Sequence, residues 1–286
     1  MAEAELRKPA WIKFKIPGGQ NYVKIKKIIS DKNLHTVCSE ALCPNIGECF
    51  GCGTATFIIL GNICTRNCLY CSVVKGNPLQ PDLSEPFKIA EAVKEMSLSH
   101  AVITSVTRDD LPDGGASLFC ETVLNIKKMN PSCTVEVLVP DFQCDMISSI
   151  DKIIATEPDI INHNIEVSKN LYEKLRPLGS YEKSLELISY VSGKALKVKS
   201  GLMIGFGESI EDISLTLKDL NQAGCSFVTI GQYLKSLKTN YPVIKYYTPD
   251  EFIKIREIAL NIGFEKVMAG PLVRSSYHAK EMAGIF

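Results

Sequence analysis

Six short apolar runs, each followed by a stretch of helical periodicity, constrain this chain more than any other feature. They are 55–60 (ATFIIL), 101–106 (AVITSV), 134–139 (TVEVLV), 159–165 (DIINHNI), 198–204 (VKSGLMI) and 226–230 (SFVTI). Near-continuous apolarity suits parallel strands covered on both faces. In 209–223, Ile210, Ile213, Leu217 and Leu220 recur at helical spacing. Ser209 and Asp212 have the spacing of a capping box, and Gly224 stands where a helix stops. Thr248, Pro249, Asp250 and Glu251 open a further capped helix that Gly263 closes. Strand–helix units in this order predict a parallel α/β fold. A closed eight-stranded barrel takes about 250 residues, whereas these six units occupy roughly 180. The expected form is therefore a partial (βα)6 TIM-like barrel, with a doubly wound sheet as the alternative. In either, chemistry falls at the C-terminal ends of the strands. Three parts are expected: an N-terminal extension over 1–53, the barrel over 54–232, and a C-terminal extension over 233–286. In the last part the loop KSLKTNYP (235–242) leads to the capped helix.

Composition removes several function classes. Of 286 residues, 45% are apolar and 22% charged, which excludes wholesale disorder. Lys+Arg and Asp+Glu both count 32, so the chain lacks the basic excess of a general polyanion binder, and no nucleic-acid partner is expected. No apolar run approaches the roughly 20 residues that cross a bilayer, so no membrane partner is expected. The opening MAEAELRKPAWIKFK has no apolar signal core and carries two early glutamates, which predicts a cytoplasmic location. Against that location stand 11 cysteines. In a reducing compartment, clustered thiols bind metal or do redox chemistry more often than they form disulfides.

The cysteines are not evenly spread. Cys120, Cys133, Cys144 and Cys225 are scattered and read as small buried hydrophobes. The others form two groups. Cys38-x4-Cys43-x5-Cys49 is followed closely by Cys52, and Cys64-x3-Cys68-x2-Cys71 lies just after the first predicted strand. Three thiolates in one loop can each hold one iron of a cubane cluster and leave the fourth iron open, whereas an electron-transfer ferredoxin supplies four. An open iron is a place for substrate or cofactor to bind. A zinc ion on Cys64, Cys68, Cys71 and a water is the plainer alternative.

The second group, with Tyr70 before its last cysteine, resembles the radical S-adenosylmethionine (SAM) signature. More of the chain is similar to the lipoyl synthases: CPNIGEC (43–49), TATFIILGNICTRNC (54–68), TSVTRDDLPDGGA (104–116), NHNIE (162–166), GLMIGFGE (201–208), TIGQYL (229–234) and GPLVRSSYHA (270–279). The resemblance implies a [4Fe–4S] cluster on Cys64, Cys68 and Cys71 that binds SAM and cleaves it to a 5′-deoxyadenosyl radical. It implies a second [4Fe–4S] cluster on Cys38, Cys43 and Cys49, with Ser276 of Arg274-Ser275-Ser276-Tyr277 as fourth ligand. Cys64, Cys68, Cys71 and Ser276 then carry the catalysis. The implied substrate is an octanoyl chain on a lysine of a lipoyl-carrier protein (a 2-oxoacid dehydrogenase E2 or glycine cleavage H protein). Sulfur from the second cluster enters at C6 and C8. Further implied partners are a ferredoxin- or flavodoxin-type reductant and a cluster-assembly carrier. A serine oxygen is a harder donor than thiolate, so an iron held by it is the one most readily released with sulfide. Saturated carbon has no acidic proton, so a radical generator beside a sulfur store suits the task.

Cys52 departs from the pattern. It is either a spare thiol or the fourth member of a zinc knuckle with Cys38, Cys43 and Cys49. Among the other candidates, strand alternation puts Asn162, Asn164 and Glu166 on one face, opposite His163. Those three are expected to contact SAM, and His163 to be structural. Arg176 is assigned to the SAM carboxylate, with a surface salt bridge as the alternative, and Tyr70 to the same cofactor site. Arg108, Asp109 and Asp110 are expected to line the cavity, or else to form a solvated loop. GxGE at 205–208 lacks the rest of a dinucleotide fingerprint and reads as a close backbone approach to a ligand. LRK (6–8) and KIKK (24–27) read as solvated faces, or as docking groups for an acidic carrier. Competing functions are a methylthiotransferase or biotin-synthase-like enzyme, a two-cluster electron carrier, and a zinc adaptor.

Overall fold

The structure is a computed structural model that describes residues 6–236 and 241–284; positions 237–240 of the KSLKTNYP loop lie outside the described residues. The chain forms two compact units. The described residues of Phe14–Arg66, Val73–Asn162 and His278–Phe286 make one, called here the N-terminal unit. Those of Met1–Lys13, Asn67–Ser72 and His163–Tyr277 make the other, the C-terminal unit.

The N-terminal unit contains β1 (His35–Thr36), β2 (Thr56–Ile59), β3 (Ile63–Cys64), β4 (Val74–Lys75), β5 (His100–Ser105), β6 (Thr134–Leu138) and β7 (Ile160–Asn162). β2, β5, β6 and β7 run parallel, and β1 adds to β2 antiparallel. The register aligns Phe57 with Ile103, Ile103 with Val137 and Val137 with Ile161. All four are fully buried, and each contributes about 1.5–3 kcal/mol by leaving water. Helices Glu85–Glu95 and Ala116–Met129 bury Ile89, Val93, Phe119, Val123 and Ile126, the apolar stripes that the crossovers of a parallel sheet require. Helix Gln20–Asp31 buries Ile25, Ile28 and Ile29 and leaves Lys24, Lys26 and Lys27 exposed, the solvated face read from KIKK. Residues 15–17 lie so close to helix Ile46–Gly51 that a Cβ on Gly47 would sit 2.4 Å from the Lys15 carbonyl oxygen.

The C-terminal unit contains the parallel strands β8 (Val198–Ile204), β9 (Phe227–Gln232) and β10 (Lys266–Gly270). Helix Ile210–Gln222 carries the capping box of Ser209 and Asp212, and Gly224 follows it in the left-handed region at φ 87°. Helix Pro249–Ile262 has Thr248 and Glu251 as a second capping box, proline in its first turn, and Gly263 at φ 117° as its stop. β9 runs close under the segment that follows β10: a Cβ on Gly231 would sit 2.0 Å from the Val273 carbonyl oxygen.

All six expected strands form, five of them within two residues of the expected bounds at either end, with one larger difference of extent. The run 159–165 is strand only over Ile160–Asn162, and Glu166 takes a left-handed backbone at φ 69°. β10 pairs parallel with β9 and is a further strand that periodicity does not announce. Cys133 and Cys225 are buried as expected and Cys120 is half-buried, but Cys144 is exposed. Among the described residues no helix is long and apolar enough to cross a membrane.

Candidate functional site

In the N-terminal unit, the loops after β2, β5 and β6 meet at the C-terminal edge of the strands, where a parallel sheet places its chemistry. Cys64 ends β3, the short strand in the segment that follows β2. The next residue, Thr65, accepts a hydrogen bond from the Asp109 amide at 3.2 Å and donates its hydroxyl to the Thr107 carbonyl at 3.0 Å. Arg66 then turns inward and is 4% exposed. Its Nε and Nη2 donate to the two oxygens of Asp109, both at 2.8 Å. Nη1 and Nη2 donate to Asp141 at 2.7 and 2.5 Å. Burial works against the guanidinium charge, but hydrogen bonds to Asp109 and Asp141 more than restore it and hold the group protonated. The Arg66 amide N–H points at Cys64 Sγ, 3.5 Å away.

Arg108 and Asp110 behave differently from a cavity lining. Arg108 is fully buried, pairs with Asp110 through Nε and Nη2 at 2.9 and 2.8 Å, and donates Nη1 to the Leu60 carbonyl. Both are therefore loop-fixing groups. Asn162 is also buried, and its Nδ2 donates to Glu136 at 2.9 Å.

The C-terminal unit brings together Tyr70, Asn164, Glu166 and Arg176 beside Cys68 and Cys71. Leu69 N–H bonds the Leu175 carbonyl at 3.0 Å, which ties the cysteine loop to the segment bearing Arg176. Tyr70 is held far above the ordinary phenol range, first by burial, with Arg176 opposing and Glu166, Cys68 and Cys71 adding to it. Burial also raises the Glu166 carboxyl, against the charge of Arg176, a hydrogen bond from Asn164, and Arg274. Arg176 is 8% exposed, reaches the Asn164 carbonyl through Nη1 at 3.2 Å, and lies 5.0 Å from the Tyr172 ring centre. It is a buried cation, not a surface salt bridge. His163 is structural: its Nε2 lies 3.0 Å from Ser184 Oγ. The backbone after Ile204 approaches protein, since a Cβ on Gly205 would meet Gln232 Nε2 at 2.2 Å and the Lys245 carbonyl at 2.8 Å. Gly205 of the GxGE run is thus required by packing against protein, whereas a Cβ on Gly207 would come no nearer than 3.5 Å to its neighbours.

The first cysteine group sits in the N-terminal unit on two short helices, Val37–Glu40 and Ile46–Gly51. Cys43 N–H bonds the Cys38 carbonyl at 3.2 Å and folds the thiols together. Cys38 donates to Cys49; this hydrogen bond and burial raise Cys38 well above the thiol range, and the same bond lowers Cys49 against the effect of burial. Cys52 is exposed at the end of the second helix. His278, two residues after Ser276, lies in the same unit as these cysteines, its Nε2 3.5 Å from Glu48, the residue before Cys49.

The donors fit the groups that the sequence implies. Each set offers three soft thiols, the preferred ligands of iron–sulfur clusters. Among the described residues no three His, Cys, Asp or Glu side chains converge on one metal-ion position; a cubane instead takes each thiolate on a different iron. In the C-terminal unit, buried Asn164 Oδ1 and Arg176 Nε have no hydrogen-bond partner. An acceptor and a donor left open beside Cys68 and Cys71 suit the ammonium and carboxylate of an amino acid such as SAM. Sequence reading singled out Asp109 but missed its partners Arg66 and Asp141. The available signal was an arginine enclosed between two cysteines of one loop, with aspartates following the next two strands.

A model of the radical SAM superfamily matches residues 58–220, and one of the N-terminal domain of lipoyl synthase matches residues 2–43. The chain is 49% identical over 276 residues to a lipoyl synthase of Rubrobacter xylanophilus, covering 96% of this chain and 86% of that one. It is 48% identical over 283 residues to a lipoyl synthase of Caldicellulosiruptor saccharolyticus, covering 98% and 99%. Among solved structures, methylornithine synthase superposes with a TM-score of 0.56 at 15% identity, covering 74% of this chain and 69% of the other. Streptococcus suis SuiB bound to S-adenosylmethionine superposes at 0.57 and 11% identity, covering 85% and 51%. These likenesses establish the fold as α/β of the radical SAM type, the partial barrel expected from six units.

Proposed function

The chain belongs to the lipoyl synthase family of the radical SAM superfamily, and from that membership we infer that it inserts two sulfur atoms, at C6 and C8, into an octanoyl chain carried on a lysine of a lipoyl-carrier protein. The observation that carries the reading is the presence of both three-cysteine sets in a chain similar to lipoyl synthases along nearly its whole length. Cys64, Cys68 and Cys71 would hold one [4Fe–4S] cluster, and Cys38, Cys43, Cys49 and Ser276 the other. When bound, the first supplies the electron that splits SAM to give a hydrogen-abstracting radical, and the second supplies sulfur. The chain's own residues do the rest. Asn164, Glu166 and Arg176 bind the polar end of SAM, Tyr70, inside the cysteine loop and beside the Phe206 ring, excludes water, and Asn162 is assigned to the same ligand.

The same proposal divides the labour along the chain. Residues 1–53 carry the sulfur-supplying thiols, 54–232 generate the radical, and 233–286 bring the serine. It includes a cytoplasmic location, where thiols stay reduced, a ferredoxin- or flavodoxin-type reductant, and a carrier that rebuilds the spent cluster. The test is anaerobic iron and sulfide content of the reconstituted protein and of its Cys64/Cys68/Cys71→Ala variant. The reading expects about eight irons falling to about four, the arithmetic of two cubanes. About four falling to none, with zinc bound, contradicts it.

A further inference from the structure

We propose that Arg66, clamped between Asp109 and Asp141, is a positioning residue that fixes Cys64 as a cluster ligand, and that the clamp's net negative charge lowers the cluster's reduction potential. This rests on the reading of Cys64, Cys68 and Cys71 as ligands of the SAM-binding cluster.

The geometry is unusually complete. Four N–H···O contacts hold one guanidinium, two to each carboxylate, all between 2.5 and 2.8 Å. Paired contacts fix the plane of the arginine as well as its position. The clamp draws the loop after β2 onto the loops after β5 and β6, and Thr65 adds a second tie to residues 107–109. Arg66 follows Cys64 by two residues, and its amide N–H already faces that thiol. Side-chain exposures of 3% for Arg66 and 0% for Asp141 mean that water does little to screen that pair, while Asp109, at 28%, is partly hydrated. Burying an ion pair is a poor route to stability, because desolvation offsets the Coulombic gain. What such a pair does supply is a fixed geometry and a fixed charge. One cation between two anions leaves one negative charge next to the cysteine loop. Net charge near a cluster is one of the levers that set its potential. A negative charge opposes the incoming electron, so it lowers that potential.

The test uses the reconstituted full-length holoenzyme and reads the reduced cluster signal by electron paramagnetic resonance, with and without SAM. Only a cluster with an open iron changes its signal when SAM binds. Arg66→Lys keeps the charge but cannot span two carboxylates. It is expected to lose the SAM-responsive signal, with iron falling from about eight to about four per chain. Asp141→Asn keeps the shape and removes one negative charge. It is expected to retain the cluster and, at a fixed ambient potential, to raise its reduced-to-oxidised ratio about tenfold, equivalent to about 59 mV for one electron. Loss of that cluster in Asp141→Asn, with native circular dichroism, also supports the positioning role. The proposal is overturned if Arg66→Lys keeps full iron and the SAM response, or if Asp141→Asn titrates with the parent. A parent lacking any SAM-responsive cluster overturns the functional reading instead.

Discussion

Asn164 Nδ2 donates to Glu166 Oε1 at 3.0 Å, and this one bond leaves Asn164 Oδ1 as an open, buried acceptor. The two residues are ordered by a break in the backbone. β7 stops at Asn162, and Glu166 adopts a left-handed conformation. Glu166 is thereby set near Arg176 and Arg274, whose charges favour its ionised form against burial.

Glu166→Gln preserves shape and removes the charge. Hydrogen bonds to charged groups contribute about 1.5–3 kcal/mol, so SAM affinity is expected to fall by at least about tenfold, or 1.4 kcal/mol. Equilibrium binding of SAM to the anaerobic holoenzyme checks this, with iron content unchanged. Parental affinity in the variant would remove Glu166 from the binding site.

Ser276→Ala separates the two halves of the chemistry. The variant is expected to form 5′-deoxyadenosine from SAM at close to the parental rate while losing most sulfur transfer. Chromatography of the nucleoside, beside mass analysis of the carrier, reads both. Loss of SAM cleavage as complete as in Cys68→Ala would contradict the assignment of Ser276 to the sulfur-supplying cluster.

The scattered thiols should divide by burial. Burial pushes Cys225 up to about 12 and Cys133 up to about 11, from an ordinary 9.0. Thiolate is the reactive form, so neither should react with iodoacetamide at pH 8, while exposed Cys144 labels readily. The folded state keeps both as neutral thiols. Their contribution to stability is therefore full below about pH 9 and is lost as the pH rises towards 11–12. Peptide mass mapping checks the labelling, and equal labelling of Cys133 and Cys144 at pH 8 would contradict it.

Much of this was legible in residue order because local and long-range signals agreed. The apolar runs became strands, and Ser209/Asp212 and Thr248/Glu251 became capping boxes where their spacing required. β10 was not legible. Its five residues, KVMAG, are all half-buried and include Lys, Ala and Gly, so neither alternation nor a continuous apolar run marks it. The alternation argument for Asn162, Asn164 and Glu166 failed in its premise, because the strand does not extend past Asn162. The Arg66 clamp was hidden for another reason. Its members lie 43 and 75 positions apart in sequence, and only the parallel strand order brings them to one edge.

The most direct test of the account is anaerobic incubation of the doubly reconstituted protein with SAM, a low-potential reductant and an octanoyl-lysyl carrier domain, followed by mass spectrometry of the carrier. The account predicts a carrier that has gained two sulfur atoms at C6 and C8, in step with 5′-deoxyadenosine. A carrier that remains octanoylated while SAM is cleaved, with both clusters present, would contradict it.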